Sequence, residues 1–236
     1  MSSCEKLVEE LNSVLPEMNF TQRVNYLFRE HGDLLAMTTA FGYSGMILLN
    51  AIRQISPTIP IYFIDTRFHF PETLSLAEQV QREWGLEIKT LGTDMSEGAI
   101  ASLIGENAYK VDPDACCHVR KVIPLETVLP GRRVWLHALR RDQSPSRANL
   151  GFAQLVAPGL VKVYPIADWT REHCWEYIRR EKILYNPLHD EGYPSIGCIH
   201  CTARVSVDGH EREGRWNSFP GKFECGLHTF LDDEDR

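Results

Sequence analysis

The chain has 236 residues, 43% of them hydrophobic, with a formal net charge of −7 and a pI near 5.7. That length suits one large domain or two small ones with an ordinary core. The acidic balance argues against general nucleic-acid binding, and no apolar run is long enough to cross a membrane.

The opening MSSCEKLVEELN has no basic stretch followed by an apolar one. It does not read as a secretory signal, and a cytoplasmic location is expected. Residues 5–30 predict two helices. Leu7, Val8, Leu11 and Leu15 recur near helical spacing, and Thr21 is placed to cap the second helix. Residues 34–39 form a short apolar run ending in Thr38-Thr39, the pattern of a buried strand. The turn FGYSG follows, then a helix over MILLNAI. A second strand is expected over 61–64, a helix opened by Pro71 over 71–84, and a third strand over 87–91. Fourth and fifth strands are expected over 134–139 and 160–163.

Strand, glycine turn and helix in alternation predict an α/β fold, a doubly wound and mostly parallel sheet of Rossmann-like type. Ligands of such sheets bind beyond the carboxyl ends of the strands. Those ends carry TTAFGYSG, DTRFHF and ALRRDQSPSR. Beyond about residue 185 Pro, Gly and His predominate, so that segment is expected to wrap over the sheet edge. The chain is therefore read as a single domain: N-terminal helices over 1–30, an α/β core over 31–185 and a wrapping segment over 186–236.

The seven cysteines of a chain without a secretory signal read as metal ligands, reactive thiols or core, not as a disulfide framework. Cys116-Cys117 in DACCHVRK and Cys198 with Cys201 in GCIHC make a CC…CxxC set. Three readings stand. Zinc takes four thiolates, usually from two CxxC knuckles. An iron–sulfur cube offers a separate iron to each sulfur and tolerates adjacent cysteines better. Buried, uncoordinated thiols are the third. Cys174, in the helical pattern REHCWEYIRR, reads as packed core, and Cys4 as a disordered surface thiol. Cys225 in KFECGLH stands alone, with Lys222 and His228 nearby to stabilise a thiolate, so it reads as a nucleophile or as a free thiol on a tail.

FGYSG, with Phe41 and Gly42, offers backbone N–H groups to an anion at a helix N-terminus. Arg140, Arg141 and Arg147 in ALRRDQSPSR present guanidinium forks that match phosphate or sulfate, although a solvated basic loop has the same pattern. Arg120, Lys121, Arg212 and Arg215 add cations near the cysteines.

Together, FIDTRFHFPET, CCHVRKVIPL, ALRRDQSPSRA, YPIADWT, YNPLHDEGYPSIGCIHCT, EREGRW and ECGLH occur in an order that resembles the assimilatory adenylylsulfate reductases, within the wider phosphoadenylylsulfate reductase family. The resemblance runs from about Leu34 to His228. It implies an adenine-nucleotide α hydrolase-like fold, related to the ATP pyrophosphatases, and adenosine 5′-phosphosulfate as substrate. It implies thioredoxin or a similar dithiol as reductant, a place in sulfate assimilation, and compatibility with a homo-oligomer. Cys116, Cys117, Cys198 and Cys201 match the ligands of a [4Fe–4S] cluster, and Cys225 the nucleophile that becomes an S-sulfocysteine. Lys121, Arg212 and Arg215 match residues near the sulfate, and Arg140, Arg141 and Arg147 the basic loop near the phosphosulfate. Ile64, Asp65 and Thr66 match the adenosine-side strand end, Phe41 and Gly42 the anion loop, and His228 a residue beside the nucleophile. Two departures stand out. The family's anion loop usually reads SFGAED or similar, but here it is AFGYSG. Arg67 replaces the glycine of DTG, which either alters the pocket or adds a cation to it.

Overall fold

The computed structural model describes residues 2–55, 58–206, 210–219, 222, 224 and 225. Among them, strands β1 (Leu35–Thr39), β2 (Ile61–Ile64), β3 (Ile88–Leu91), β4 (Val134–Leu136), β5 (Ala153–Ala157) and β6 (Leu160–Val163) form one sheet in the order β3-β2-β1-β4-β6-β5. All neighbours pair in parallel except β5 with β6. Strands β1, β2, β4 and β6 are buried along their whole length, which explains why they read as apolar runs without alternation.

The sheet lies among helices α1 (Ser3–Val14), α2 (Phe20–His31), α3 (Tyr43–Ile55), α4 (Pro71–Trp84), α5 (Glu97–Ile104) and α8 (Arg171–Glu181). Two short helices, α6 (Pro113–Cys117) and α7 (Ile123–Glu126), flank a π-helical turn at His118–Val122. The main core gathers Leu7, Leu11, Leu15, Leu27, Met37, Ile47, Leu136 and Val163 with the aromatic ring of Trp169. Asn12 fastens α1 to the edge strand: Oδ1 accepts from Phe152 N (2.7 Å) and Ala153 N (3.0 Å), and Nδ2 donates to Ala153 O (2.9 Å).

From β1 the chain runs outward one way to β2 and β3. It then returns to β4 on the other side of β1 and continues to β6. The direction therefore reverses between β1 and β4, and the crevice outside their carboxyl ends is the expected place for a ligand.

Several expectations need correction. The helix α2 begins at Phe20 and is capped by Asn19, which makes a reciprocal capping box with Gln22, so Thr21 lies inside the first turn. Cys4 is buried on α1 as part of the core, not a surface thiol. The hairpin partner β5 was not foreseen, because the turn Pro158-Gly159 was the only strong sign of it. The segment after residue 185 adds no strand among the described residues. It covers the carboxyl ends of the central strands, not a side edge, since Ser195–Cys198 and Arg212 face the same cavity as Thr38, Ile64 and His137.

Candidate functional site

The cavity at the strand-order reversal has a volume of about 210 Å³. Its floor is the end of β1 and the first turn of α3, with Thr38, Thr39, Ala40, Gly42, Ser44 and Gly45 on the wall. Phe41 has φ 55°, an uncommon left-handed conformation for a side-chain-bearing residue, and its N–H is turned onto Thr39 Oγ1 (3.1 Å). That turn aims the N-terminus of α3 and its unsatisfied N–H groups at the cavity, which suits an anion.

The side chains Lys121, Arg147, Arg212, Arg215 and Cys225 come from four separate stretches of chain and meet on the same wall. The π-helical turn places Lys121. Such turns change the angle at which successive side chains leave a helix, and they recur at functional sites. Lys121 Nζ is 3.2 Å from Cys225 Sγ, and Cys225 Sγ is 3.9 Å from Cys117 Sγ. Burial by itself would lower the Lys121 pKa, but the thiols of Cys198, Cys225 and Cys117 outweigh it and raise the value well above the ordinary one. Lys121 is therefore a fixed positive charge beside the Cys225 sulfur, the environment that favours a thiolate.

Trp216 supports the other cations. Its ring lies 4.5 Å from the Arg215 guanidinium, 5.5 Å from that of Arg212 and 5.4 Å from Lys222 Nζ, and it packs with Cys117 and Cys225. Arg215 is anchored by Nε to Cys201 O (3.0 Å). Burial, with Arg147 and Arg215 nearby, pulls the Arg212 pKa down to about 10.

A second, smaller cavity of about 10 Å³ adjoins the first, and Cys116, Cys117, Cys198 and Cys201 all line it. Thr66, Lys121 and Cys198 belong to the walls of both. Thr66 Oγ1 lies 3.2 Å from Cys198 Sγ. Among the described residues, no three Cys, His, Asp or Glu side chains are grouped closely enough to hold a single metal ion.

Of the residues expected from the sequence, Gly42, Ile64, Thr66, Lys121, Arg147, Arg212, Arg215 and Cys225 line the larger cavity. Four others lie outside its wall. Phe41 is core. Asp65 accepts from Arg67 N (2.7 Å) and so fastens the turn. Arg141 gives Nε to Leu150 O (2.7 Å). Arg140 is fully buried, with Nη2 on Glu211 Oε2 (2.6 Å), Nε on Asp142 Oδ1 (2.9 Å) and Nη1 on Ser44 Oγ. Its charge is already matched inside the protein. His228 lies outside the described residues. Arg67 turns away from the cavity altogether, to Thr93 O, Met95 O and Glu97.

Sequence reasoning missed Tyr43, Gln143, Glu211, Trp216 and Glu224. Glu211 accepts from Tyr43 Oη (2.6 Å), Arg140 and Gln143 Nε2 (3.2 Å), pinning the 210–216 arm to both the anion loop and the basic loop. The acids alternating with arginines in EREGRW were the available signal, but alternation alone does not tell a buried counter-ion from a solvated one.

A profile described as the phosphoadenosine phosphosulfate reductase domain matches residues 34–204. An adenosine 5′-phosphosulfate reductase of Halalkalibacterium halodurans is 37% identical over 94% of this chain and 96% of its own length. A phosphoadenosine 5′-phosphosulfate reductase of Gloeobacter violaceus is 38% identical over 97% and 94%. The crystal structure of phosphoadenylyl-sulfate reductase from Candida auris, a phosphate complex, superposes with a TM-score of 0.74 at 26% identity, covering 87% of this chain and 99% of that one.

Two tests follow from this geometry. A Cβ on Gly197 would fall where the Arg215 guanidinium now lies, so Gly197→Ala should displace that flexible group while leaving the fold intact. We expect an unchanged melting temperature and about tenfold weaker binding of inorganic sulfate, measured by calorimetry; unchanged sulfate affinity would remove Arg215 from the anion site. The second concerns His189, on the cavity wall, whose pKa burial pushes down from 6.5 to about 4. The unfolded chain takes up this proton first as pH falls. Stability is thus fully present above pH 6.5 and is lost between 6.5 and about 4, by up to about 3 kcal/mol. His189→Asn should flatten that part of the denaturation profile, and an identical acid-side slope would refute the assignment.

Proposed function

The chain belongs to the phosphoadenosine phosphosulfate reductase family, and from that premise we propose that it reduces adenosine 5′-phosphosulfate to sulfite and AMP through a covalent intermediate on Cys225. The observation that carries this reading is the Cys225 sulfur, 3.2 Å from the buried ammonium of Lys121 on the wall of an arginine-lined cavity. Phosphate is a good leaving group, so the main task is to bring a thiolate and a sulfate together. Both are anions. Lys121, Arg147, Arg212 and Arg215 offset their repulsion from fixed positions, where charge is more effective than in water.

The Cys225 thiolate attacks the sulfate sulfur. A sulfur–sulfur bond forms, the bond from that sulfur to the bridging oxygen breaks, and AMP leaves with the oxygen and the electron pair. The product is an S-sulfocysteine. A dithiol of the thioredoxin type then attacks Cys225 Sγ, and sulfite departs with the electron pair of the sulfur–sulfur bond. The second thiol of the reductant resolves the mixed disulfide and releases the Cys225 thiolate. The dithiol is oxidised to a disulfide as the sulfate sulfur is reduced to sulfite. The anion loop and the α3 N-terminus receive the nucleotide phosphate.

Cys116, Cys117, Cys198 and Cys201 would hold a [4Fe–4S] cluster. Their convergence on one cavity, with Cys116 and Cys117 adjacent in sequence, favours a cluster that offers a separate iron to each sulfur over a lone zinc. Such a cluster would supply charge across the shared wall at Thr66 and Lys121, since the cysteine chemistry moves electrons in pairs and needs no one-electron carrier.

Intact-mass spectrometry after brief incubation with adenosine 5′-phosphosulfate, without reductant, should show one sulfo group on Cys225 that reduced thioredoxin removes. Cys225→Ser should bind nucleotide with turnover reduced on the order of 10⁴-fold or more. An adduct only with the 3′-phosphorylated nucleotide would shift the substrate to the one named for the Gloeobacter relative, and no adduct with either would sink the reading. Separately, anaerobically purified protein should absorb visible light and carry iron, both lost in Cys198→Ala. Colourless protein containing zinc would overturn the cluster.

A further inference from the structure

Beside the larger cavity lies a carboxylate that the proposed chemistry does not use, and it meets two of the arginines on the cavity wall. Glu224 immediately precedes Cys225. Its side chain is 17% exposed. It accepts from Arg147 Nε at 2.7 Å and Arg147 Nη2 at 2.5 Å, and from Ser146 Oγ at 3.2 Å, and Arg212 Nη2 lies 3.6 Å away. Burial would raise its pKa, but the hydrogen bonds and charge of Arg147, with Arg212, hold it below the ordinary carboxylate value. The group is therefore charged at neutral pH.

Arg147 and Arg212 are two of the cations that line the anion cavity. The two-point contact of Arg147 with Glu224 is the same fork geometry with which arginine takes a phosphate or sulfate. One peptide unit separates this contact from the sulfur that Lys121 holds from the other side. Lys222 adds a neighbouring fastening, on Asp114 at the start of α6.

We propose that Glu224 is a positioning residue that docks Cys225 at the site by occupying Arg147 and Arg212 as an internal anion, so that the substrate and the catalytic segment draw on the same two guanidinium groups. The proposal rests on Cys225 being the nucleophile. It assigns Arg147 a double role, as receptor for the segment and as part of the anion site.

This arrangement predicts opposite signs for binding and chemistry. Without the carboxylate, both arginines are released to external anions, which then bind more tightly. Without its anchor, Cys225 samples more positions, and a misplacement of about 1 Å is enough to slow a positioned reaction about 10²-fold. A merely structural role would weaken both together.

The test uses Glu224→Gln in the full chain as purified anaerobically, with Glu224→Asp beside it. Inorganic sulfate and AMP affinities are measured by calorimetry, and the rate of sulfo-adduct formation by rapid-quench intact mass. We expect sulfate and AMP to bind about tenfold tighter to Glu224→Gln and the adduct to form about 10²-fold more slowly at saturating substrate. Glu224→Asp should recover most of the rate. Anion affinity that is unchanged or weaker in Glu224→Gln, or adduct formation at the parental rate, would overturn the proposal while leaving the proposed function intact. Absence of an adduct in the parent chain as well would overturn the proposed function, and the docking role with it.

Discussion

The contact between the Lys121 ammonium and the Cys225 sulfur sets the terms for the rest of the site. A lysine held out of water is costly unless something nearby carries negative charge, and here that charge can come from the cysteine sulfurs around it, Cys198, Cys225 and Cys117, in thiolate form. The contact joins residues 104 positions apart in sequence, so it exists only if the C-terminal segment closes over the sheet. The π-helical turn after Cys117 places Lys121 on the wall that the two cavities share, beside the Cys225 sulfur. The fold, the four-cysteine cavity and Cys225 are thus coupled through one cation.

Gathering cations creates a second problem, their mutual repulsion, and the same C-terminal segment offsets it. Glu211 meets Arg140 and Glu224 meets Arg147, each from a position next to a functional residue, Arg212 in one case and Cys225 in the other. The carboxylates act as fasteners as well as counter-ions. Removing one partner of so buried a pair as Arg140–Glu211 costs about 3–5 kcal/mol in typical proteins, because the remaining charge stays desolvated. The arm is also held by backbone pairing, with Ala203 N on Gly214 O (2.8 Å) and an antiparallel bridge between Thr202 and Arg215. A Cβ at Gly214 would run into the Ala203 carbonyl, which accounts for the glycine between the two arginines.

Much of this was legible in the sequence where local patterning decides the outcome. The central strands are apolar runs and α4 has its proline start, so the mostly parallel α/β sheet and a site beyond its strand ends followed, but not the strand order. The cysteine set was recognisable from spacing together with the ordered motifs. Long-range pairing was not legible. Arg140 looks in sequence like any phosphate-binding arginine, and its partner Glu211 lies 71 residues further on. Arg140 and Arg147 belong to one loop, yet the first is sealed among Ser44, Asp142 and Glu211 while the second reaches the cavity. No local propensity distinguishes them. Cys4 and Thr21 were misjudged for a different reason: burial of α1 and the capping box of Asn19 depend on how the N-terminal helices pack and start, which spacing fixes only to within a few residues.

Arg67 shows how far a departure from a family pattern can be read before a structure is available. With φ 62° it keeps the left-handed conformation that a glycine would adopt easily, so the turn survives the substitution. Its guanidinium bonds to Thr93 O (2.8 Å), Met95 O (2.9 Å) and Glu97 (3.0 Å) and does not enter the cavity. Glu97 is shared with Arg120, which also donates to Thr66 O (3.2 Å) and lies over the Phe68 ring. The substitution therefore ties the turn after β2 to α5 and, through Arg120, to the π-helical turn that carries Lys121. Its effect falls on the rigidity of the shared wall between the two cavities. Of the departures from the family pattern, Ala40, Ser44 and Gly45 of the altered anion loop are the ones that line the larger cavity.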